Sequence, residues 1–232
     1  TKPSPIQINY LGYPGSMGLP FMDYFVGDSF TINRHNRGQF SEKIISLPIF
    51  YQPPDINRQV APSTPQRSIH GLPENKVVLG AFNSIYKLTP EIYDIWLNLL
   101  KKHENTVLWL IEPSKSAKDR LLSLASDRGV ETSRVIFGAH LAQEEHINRL
   151  ALIDIFVDTY PCVGHTTATD ALFQSIPVVT IAGETFASRV AASALHHIDC
   201  TALIAHSVEE YEHIIGELIE KPDIRENFRA QI

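Results

Sequence analysis

Cysteine is scarce in this sequence: Cys162 and Cys200 are the only two in 232 residues. They make neither a disulfide framework nor a C-x-x-C metal pair, so reduced thiols and a cytoplasmic setting are the expectation. Basic runs are lacking as well. None is longer than Lys101-Lys102, and the formal net charge is −6, which removes the electrostatic case for nucleic acid as a partner. No apolar stretch approaches the ~20 residues that cross a bilayer. The opening Thr1-Lys2-Pro3-Ser4-Pro5 has no apolar core of a signal peptide, so no membrane partner is expected. Walker and G-x-G-x-x-G motifs are absent. His196-His197 and the cysteines lack zinc-ligand spacing, so no metal and no cofactor are expected. The chain also opens without Met and reaches a strand-like segment at once, and it is read as a piece of something longer. What is present is an ordinary globular composition, 44% hydrophobic and 20% charged, long enough to bury a core.

Two regions with different patterning follow one another. In the first, Ile6–Tyr10 alternates apolar and polar residues, the period of a strand, and Gly12, Pro14, Gly15 and Gly18 then break it into a loop. Residues 23–26 and 43–47 predict two more short strands. Residues 52–70, with Pro53, Pro54, Pro62 and Pro65, have the composition of a linker or a long crossing loop. From residue 71 strands and helices alternate. Strands are predicted at 77–82, 106–110, 134–137, 153–157 and 177–181. Helices are predicted from Thr89-Pro90-Glu91 onward, at 115–128, 142–150, 166–174, 185–197 and 207–219, and near 223–230. Such alternation with short connections implies an α/β fold, a parallel sheet covered by helices on both faces. The division is placed near residue 70: a partial lobe and linker over 1–70, and a Rossmann-like lobe over 71–232.

Open parallel sheets bind ligands beyond the carboxyl ends of their strands, which selects four loops. In 158–167, Gly164 permits close backbone approach, and Thr166 or Thr167 can cap the helix that follows. The amides and dipole of that helix form an anion site, and His165 can add a donor. Asp170, three residues after Thr167, lies on the same face and can accept from a ribose diol. Taken alone, the same residues read equally as an ordinary helix cap. In 138–146 the candidates are Leu141 and then His146 and Arg149, an i,i+3 pair suited to stacking on a base and bonding its edge; a solvated helix start is the alternative. In 82–88 they are Ser84 and Lys87, a cation placed to meet a diphosphate or simply a solvated lysine. In 182–188, Thr185 is read as an N-cap and Glu184 as structural.

Taken together, the motifs resemble one family. Leu11-Gly12-Tyr13-Pro14-Gly15, Phe21-Met22-Asp23-Tyr24, Tyr86-Lys87, Val107–Leu110, Glu144-Glu145-His146, Gly164-His165-Thr166-Thr167 and the run Gly183–Ser193 are similar, in order, to the catalytic region of the O-GlcNAc transferases, glycosyltransferase family 41. The resemblance implies a GT-B fold and an inverting enzyme that moves GlcNAc from UDP-GlcNAc to Ser or Thr of proteins without a metal. Its partners would be the UDP-sugar and an acceptor protein or peptide. It further implies that Lys87 contacts the diphosphate and acts in catalysis. His146 would stack near the uracil with Arg149 beside it. His165, Thr166 and Thr167 would cradle the phosphates, Asp170 would bind the ribose, and Leu11 and Gly12 would lie near the sugar. The sequence departs from the family where Ser84 stands for a common Gln and Gln143 for a Lys. It also lacks the front of the N-terminal lobe, with its proposed catalytic histidine, and the tetratricopeptide repeats of the family. Two other readings stay open: a UDP-binding or regulatory module without catalysis, and a GT-B enzyme using another sugar or acceptor.

Overall fold

The computed structural model describes residues 2–55 and 57–232. Strands β1 (Ile8–Asn9), β2 (Tyr24–Asp28) and β3 (Lys43–Leu47) form a small parallel sheet in that order. The strand expected over 6–10 is only two residues long. Ile8 on this edge strand and Ile6 and Tyr10 beside it are exposed, and Leu11 turns to φ 63°, which ends the pairing.

A second sheet holds β4 (Val77–Ala81), β5 (Thr106–Ile111), β6 (Val135–Gly138), β7 (Ile155–Val157), β8 (Val178–Ile181) and β9 (Ile204–Ala205). Its strands are all parallel and run β6-β5-β4-β7-β8-β9. Numbered within that sheet, this is the doubly wound order 3-2-1-4-5-6, whose direction of winding reverses between β4 and β7. The central strands are apolar on both faces because helices cover both; β5 is buried from Thr106 to Leu110. Gly80 in β4 is a packing requirement, since a Cβ there would lie 2.3 Å from Ile153 Cδ1.

Helices α1 (Pro90–Lys102), α2 (Lys115–Asp127), α3 (Gln143–Leu150), α4 (Thr166–Phe173), α5 (Val190–His197), α6 (Val208–Glu220) and α7 (Pro222–Gln231) connect and cover these strands. α1 begins where the Thr89 side chain accepts from Ile92 N and Pro90 takes the first helical position. Its apolar positions, including Ile92, Tyr93, Trp96, Leu99 and Leu100, are all buried. The indole of Trp96 donates to Tyr211 Oη of α6 at 3.0 Å, and Tyr211 donates to the Asp158 carbonyl at 2.7 Å. A polar relay thus ties two helices to the end of β7. Among the described residues no helix is long and apolar enough to cross a membrane.

The structure departs from the sequence reading at two points and decides between two readings at a third. The single helix over 185–197 is a 3-10 turn at Phe186–Ser188 followed by α5. The Thr185–Ser188 capping box closes the first turn early, and Arg189 at φ −121° interrupts the helix. β9 was not expected, because a two-residue strand leaves no periodicity to read. Finally, of the two readings of residues 52–70, the long crossing loop agrees with the structure and the free linker does not, residue 56 lying outside the described residues. Gln52 Nε2 donates to Thr166 Oγ1 at 3.0 Å, Ala61 N to the Glu144 carbonyl at 3.3 Å, and Asn148 Nδ2 to the Ser63 carbonyl at 2.7 Å. Arg67 pairs with Asp154 at 2.8 Å within a 3-10 turn over Arg67–His70. The segment is a strap fastened across α3 and α4.

The two sheets share one hydrophobic core. Phe186 packs edge-on against Phe25, Phe40 and Tyr51, with ring centroids 5.0, 6.3 and 4.9 Å away. Asp28 at the end of β2 accepts from Ser193 Oγ of α5 at 2.9 Å.

Candidate active site

The crevice at the winding reversal is walled by the segments that follow β4 and β7. One buried carboxylate organises them. Asp158 Oδ1 accepts from Asn83 Nδ2 (2.7 Å), Thr159 N (2.9 Å) and Gly164 N (2.6 Å), and Oδ2 accepts from Thr180 Oγ1 (2.8 Å). Burial pushes this carboxyl up to about 6, against the lowering effect of the four donors. Asn83 in turn accepts a short hydrogen bond from Thr167 Oγ1, so Asp158 fixes the β4 loop and the start of α4 together. Gly164 is needed here on steric grounds: a Cβ would sit 2.8 Å from Thr167 Oγ1 and 3.1 Å from Asp158 Oδ1.

Beside this hub opens a cleft of about 960 Å³, whose lining includes Phe82, Ser84, Tyr86, Leu141, His146, Arg149 and Asp170. Its deep wall is an aromatic and cationic stack. The Arg149 guanidinium lies 4.7 Å over the Phe82 ring and 5.8 Å from that of Trp109, an arrangement that stabilises a desolvated cation. Burial lowers the Arg149 pKa to about 10. Arg149 Nε and Nη2 approach His146 Nδ1 at 3.1 and 2.9 Å. A guanidinium can only donate, so Nδ1 accepts and the neutral ring carries its proton on Nε2. Burial, reinforced by the Arg149 charge, lowers the His146 pKa to about 4. His146 is therefore a neutral, oriented ring with one N–H to offer.

The start of α4 differs from the expected cap. The helix is capped by His165, with no side-chain cap bond. Thr166 Oγ1 is taken by Gln52 and Thr167 Oγ1 by Asn83, so neither hydroxyl folds back onto the helix. The first amide bonded in the helix is Thr169 N, to the His165 carbonyl at 3.1 Å. The amides of Thr166, Thr167 and Ala168 have no partner among the described residues and stay available to an anion. Lys87 Nζ reaches the same loop, donating to the Val163 carbonyl at 3.0 Å. His165 is held near 4 by burial and by the Lys87 charge, and its Nε2 faces the Ala187 carbonyl at 3.3 Å. That ring donates to an anion only after it takes a proton or leaves Ala187.

Most of the residues singled out in the sequence thus gather around one crevice. Ser84, Leu141, His146, Arg149 and Asp170 line the cleft, and Lys87, Gly164, His165, Thr166 and Thr167 form the adjoining loop and helix start. Leu11 and Gly12 are exposed in the first region and do not line this cleft. Sequence reasoning missed Phe82, Asn83 and Asp158, which sit at strand ends where an apolar run meets a polar residue. It also missed Arg58, whose side chain pairs with Asp170 from the strap; the proline-rich surroundings of Arg58 gave no signal.

The sheet order and a cleft at the switch point define a doubly wound nucleotide-binding fold, and the solved structures described below place it in the GT-B glycosyltransferase class. The sequence matches Glycosyl transferase family 41 over residues 1–62 and 55–232, and the chain belongs to that family. It is 37% identical over 235 residues to the probable UDP-N-acetylglucosamine–peptide N-acetylglucosaminyltransferase SEC of Arabidopsis thaliana, covering 97% of this chain and 24% of that protein. It is 34% identical over 166 residues to the UDP-N-acetylglucosamine–peptide N-acetylglucosaminyltransferase of Caenorhabditis elegans, covering 72% of this chain and 14% of the relative. Among solved structures, a mutant of the Thermobaculum terrenum O-GlcNAc transferase superposes with a TM-score of 0.87 at 27% identity. That match covers 99% of this chain and 44% of the other. The glycosyltransferase WaaG of lipopolysaccharide biosynthesis shares the fold at 16% identity, with a TM-score of 0.64 over 94% of this chain and 59% of the other. The chain thus spans about a quarter of the length of the plant relative.

Proposed function

We propose that this chain supplies the donor half of an inverting glycosyltransferase that moves GlcNAc from UDP-GlcNAc to Ser or Thr hydroxyls of proteins. The observation that carries the reading is the convergence at one sheet reversal of a helix start with amides left free among the described residues, an aromatic and cationic wall, and a buried carboxylate lining the same cleft. The names of the family relatives support the donor and the acceptor class.

In this reading Lys87 and the amides of Thr166, Thr167 and Ala168 hold the diphosphate. The His146–Arg149–Phe82 wall receives the uracil with Leu141 at its edge, and Asp170 accepts from the ribose. Ser84 sits at the mouth of the cleft, and Leu11 and Gly12 belong to the sugar side of the full site. Gly164 keeps the phosphate loop close. Reaction is a direct displacement. The acceptor oxygen bonds to the anomeric carbon, the bond from that carbon to the diphosphate oxygen breaks, and the configuration inverts. The electron pair leaves with UDP, where Lys87 and the helix dipole meet the growing negative charge. This chain's own groups perform that neutralisation, so no metal is assigned a role. The base that takes the hydroxyl proton is not assigned to any residue of this chain.

The test is Lys87→Ala. Loss of a charge-assisted contact to a phosphate costs about 1.5–3 kcal/mol, so UDP affinity measured by calorimetry should fall by about tenfold to a hundredfold. Unchanged affinity would remove Lys87 from the diphosphate site.

A further inference from the structure

Asp170 is only 6% exposed, and its carboxylate does not stand alone. Arg58, from the strap, forms a short ion pair with Asp170 Oδ1, and both side chains are largely out of solvent. The guanidinium is itself held in place. Its Nε donates to the Asp55 carbonyl at 3.2 Å, and its plane stacks over Phe173 at 4.9 Å. The strap that carries it is fastened on either side, by Gln52 to Thr166 and by Ser63 to Asn148.

The two partners face different spaces. Asp170 lines the main cleft, whereas Arg58 does not. Arg58 lines a separate depression with Asn57, Gln59, Gln143 and Glu144. The arginine therefore reaches the carboxylate from the neighbouring depression, which shares Gln143 with the cleft. One oxygen is engaged on that side, and Asp170 Oδ2 has no hydrogen-bond partner among the described residues. A buried carboxylate without a cation tends to take up a proton and become a weaker acceptor. Here burial raises the Asp170 pKa while the Arg58 charge opposes it.

We propose that Arg58 is a positioning residue for ribose recognition: it holds the Asp170 carboxylate charged and turned so that its second oxygen accepts from a sugar hydroxyl of the bound nucleotide. This rests on the assignment of the cleft to a nucleoside diphosphate. It makes the strap a working wall of the donor site, and it ties the choice of ribose over deoxyribose to a residue far from the phosphate loop in sequence.

The test compares UDP with 2′-deoxyuridine diphosphate by calorimetry on the full chain, for wild type, Arg58→Gln, Arg58→Lys, Asp170→Asn, the double variant of Arg58→Gln with Asp170→Asn, and Asp170→Ala. Arg58→Gln should weaken UDP about tenfold and leave the deoxy compound within about twofold, so that discrimination collapses. Arg58→Lys, which keeps the cation, should restore most of it. The double variant should be no worse than Asp170→Asn alone, because the two residues act through one contact. Arg58→Met, which keeps an unbranched apolar stem and removes the guanidinium, replaces Arg58→Gln if the latter unfolds, and the same result is expected. Discrimination intact in Arg58→Gln but lost in Asp170→Asn overturns the role of Arg58. So does a rise in UDP affinity in Arg58→Gln, which would make Arg58 a competitor of the ribose. Discrimination intact in Asp170→Ala, which leaves no acceptor at this position, instead sinks the ribose assignment itself, and the proposal with it.

Discussion

Replacing Asp158 by Asn tests the organisation of the crevice through its pH dependence. The amide keeps the shape and an Oδ1 acceptor for Asn83, Thr159 and Gly164, and the Thr180 hydroxyl can turn to accept from the new N–H. The variant should therefore fold. Burial pushes the native Asp158 carboxyl up to about 6, against about 3.9 in an unfolded chain. Between those values the native state holds a proton that the unfolded state has released. Stability from this group is full below about pH 4 and is lost as pH rises through about 6, by about 3 kcal/mol in all. The Asp158→Asn variant lacks this dependence. The stability of wild type relative to Asp158→Asn should thus be greatest near pH 4 and smaller by about 3 kcal/mol at neutral pH. His146 and His165, both lowered to about 4, titrate over an overlapping window with the opposite sign. They are present in both proteins and cancel in the difference. Urea unfolding of the two proteins across this range supplies the measurement. A difference that stays flat or grows with pH would refute the reasoning. At neutral pH the ionised carboxylate is a cost the fold bears, and three N–H donors of the crevice are oriented by it.

Two further outcomes follow from the geometry. Gly164→Ala places a methyl against Thr167 and Asp158, both anchored by hydrogen bonds, so about 1–3 kcal/mol of stability should be lost; a wild-type melting temperature would contradict this packing. Nitrogen NMR of His146 should show a neutral ring protonated on Nε2 throughout the neutral range. In Arg149→Met its titration should move upward from about 4, because a neighbouring positive charge is removed; a ring with the same titration in both would contradict the pairing.

The sequence made the C-terminal sheet legible because its central strands are mostly apolar and buried and α1, α2 and α6 begin at side-chain caps. Thr89-Pro90-Glu91 announced α1 almost to the residue. Most of the site was legible for a related reason: in a parallel sheet the loops after the strands must face the ligand side, and the chemistry-bearing residues of those loops are few. What escaped depended on partners distant in sequence. Thr166 and Thr167 look like caps locally, and only Gln52 and Asn83 divert their hydroxyls. Asp158 reads as a surface loop residue until four donors converge on it. Arg58 sits in a proline-rich stretch whose composition says linker, and its contact with Asp170 spans 112 positions. The tautomer of His146 likewise depends on where the Arg149 guanidinium turns, which spacing alone does not fix.

The most direct test of the central claim is calorimetric titration of this chain with UDP, using ADP as the control. The account predicts micromolar UDP binding and far weaker ADP binding, since the His146–Arg149–Phe82 slot is assigned to a uracil and Lys87 with the start of α4 to the diphosphate. Equal affinity for the two nucleotides, or no binding of either, would contradict it.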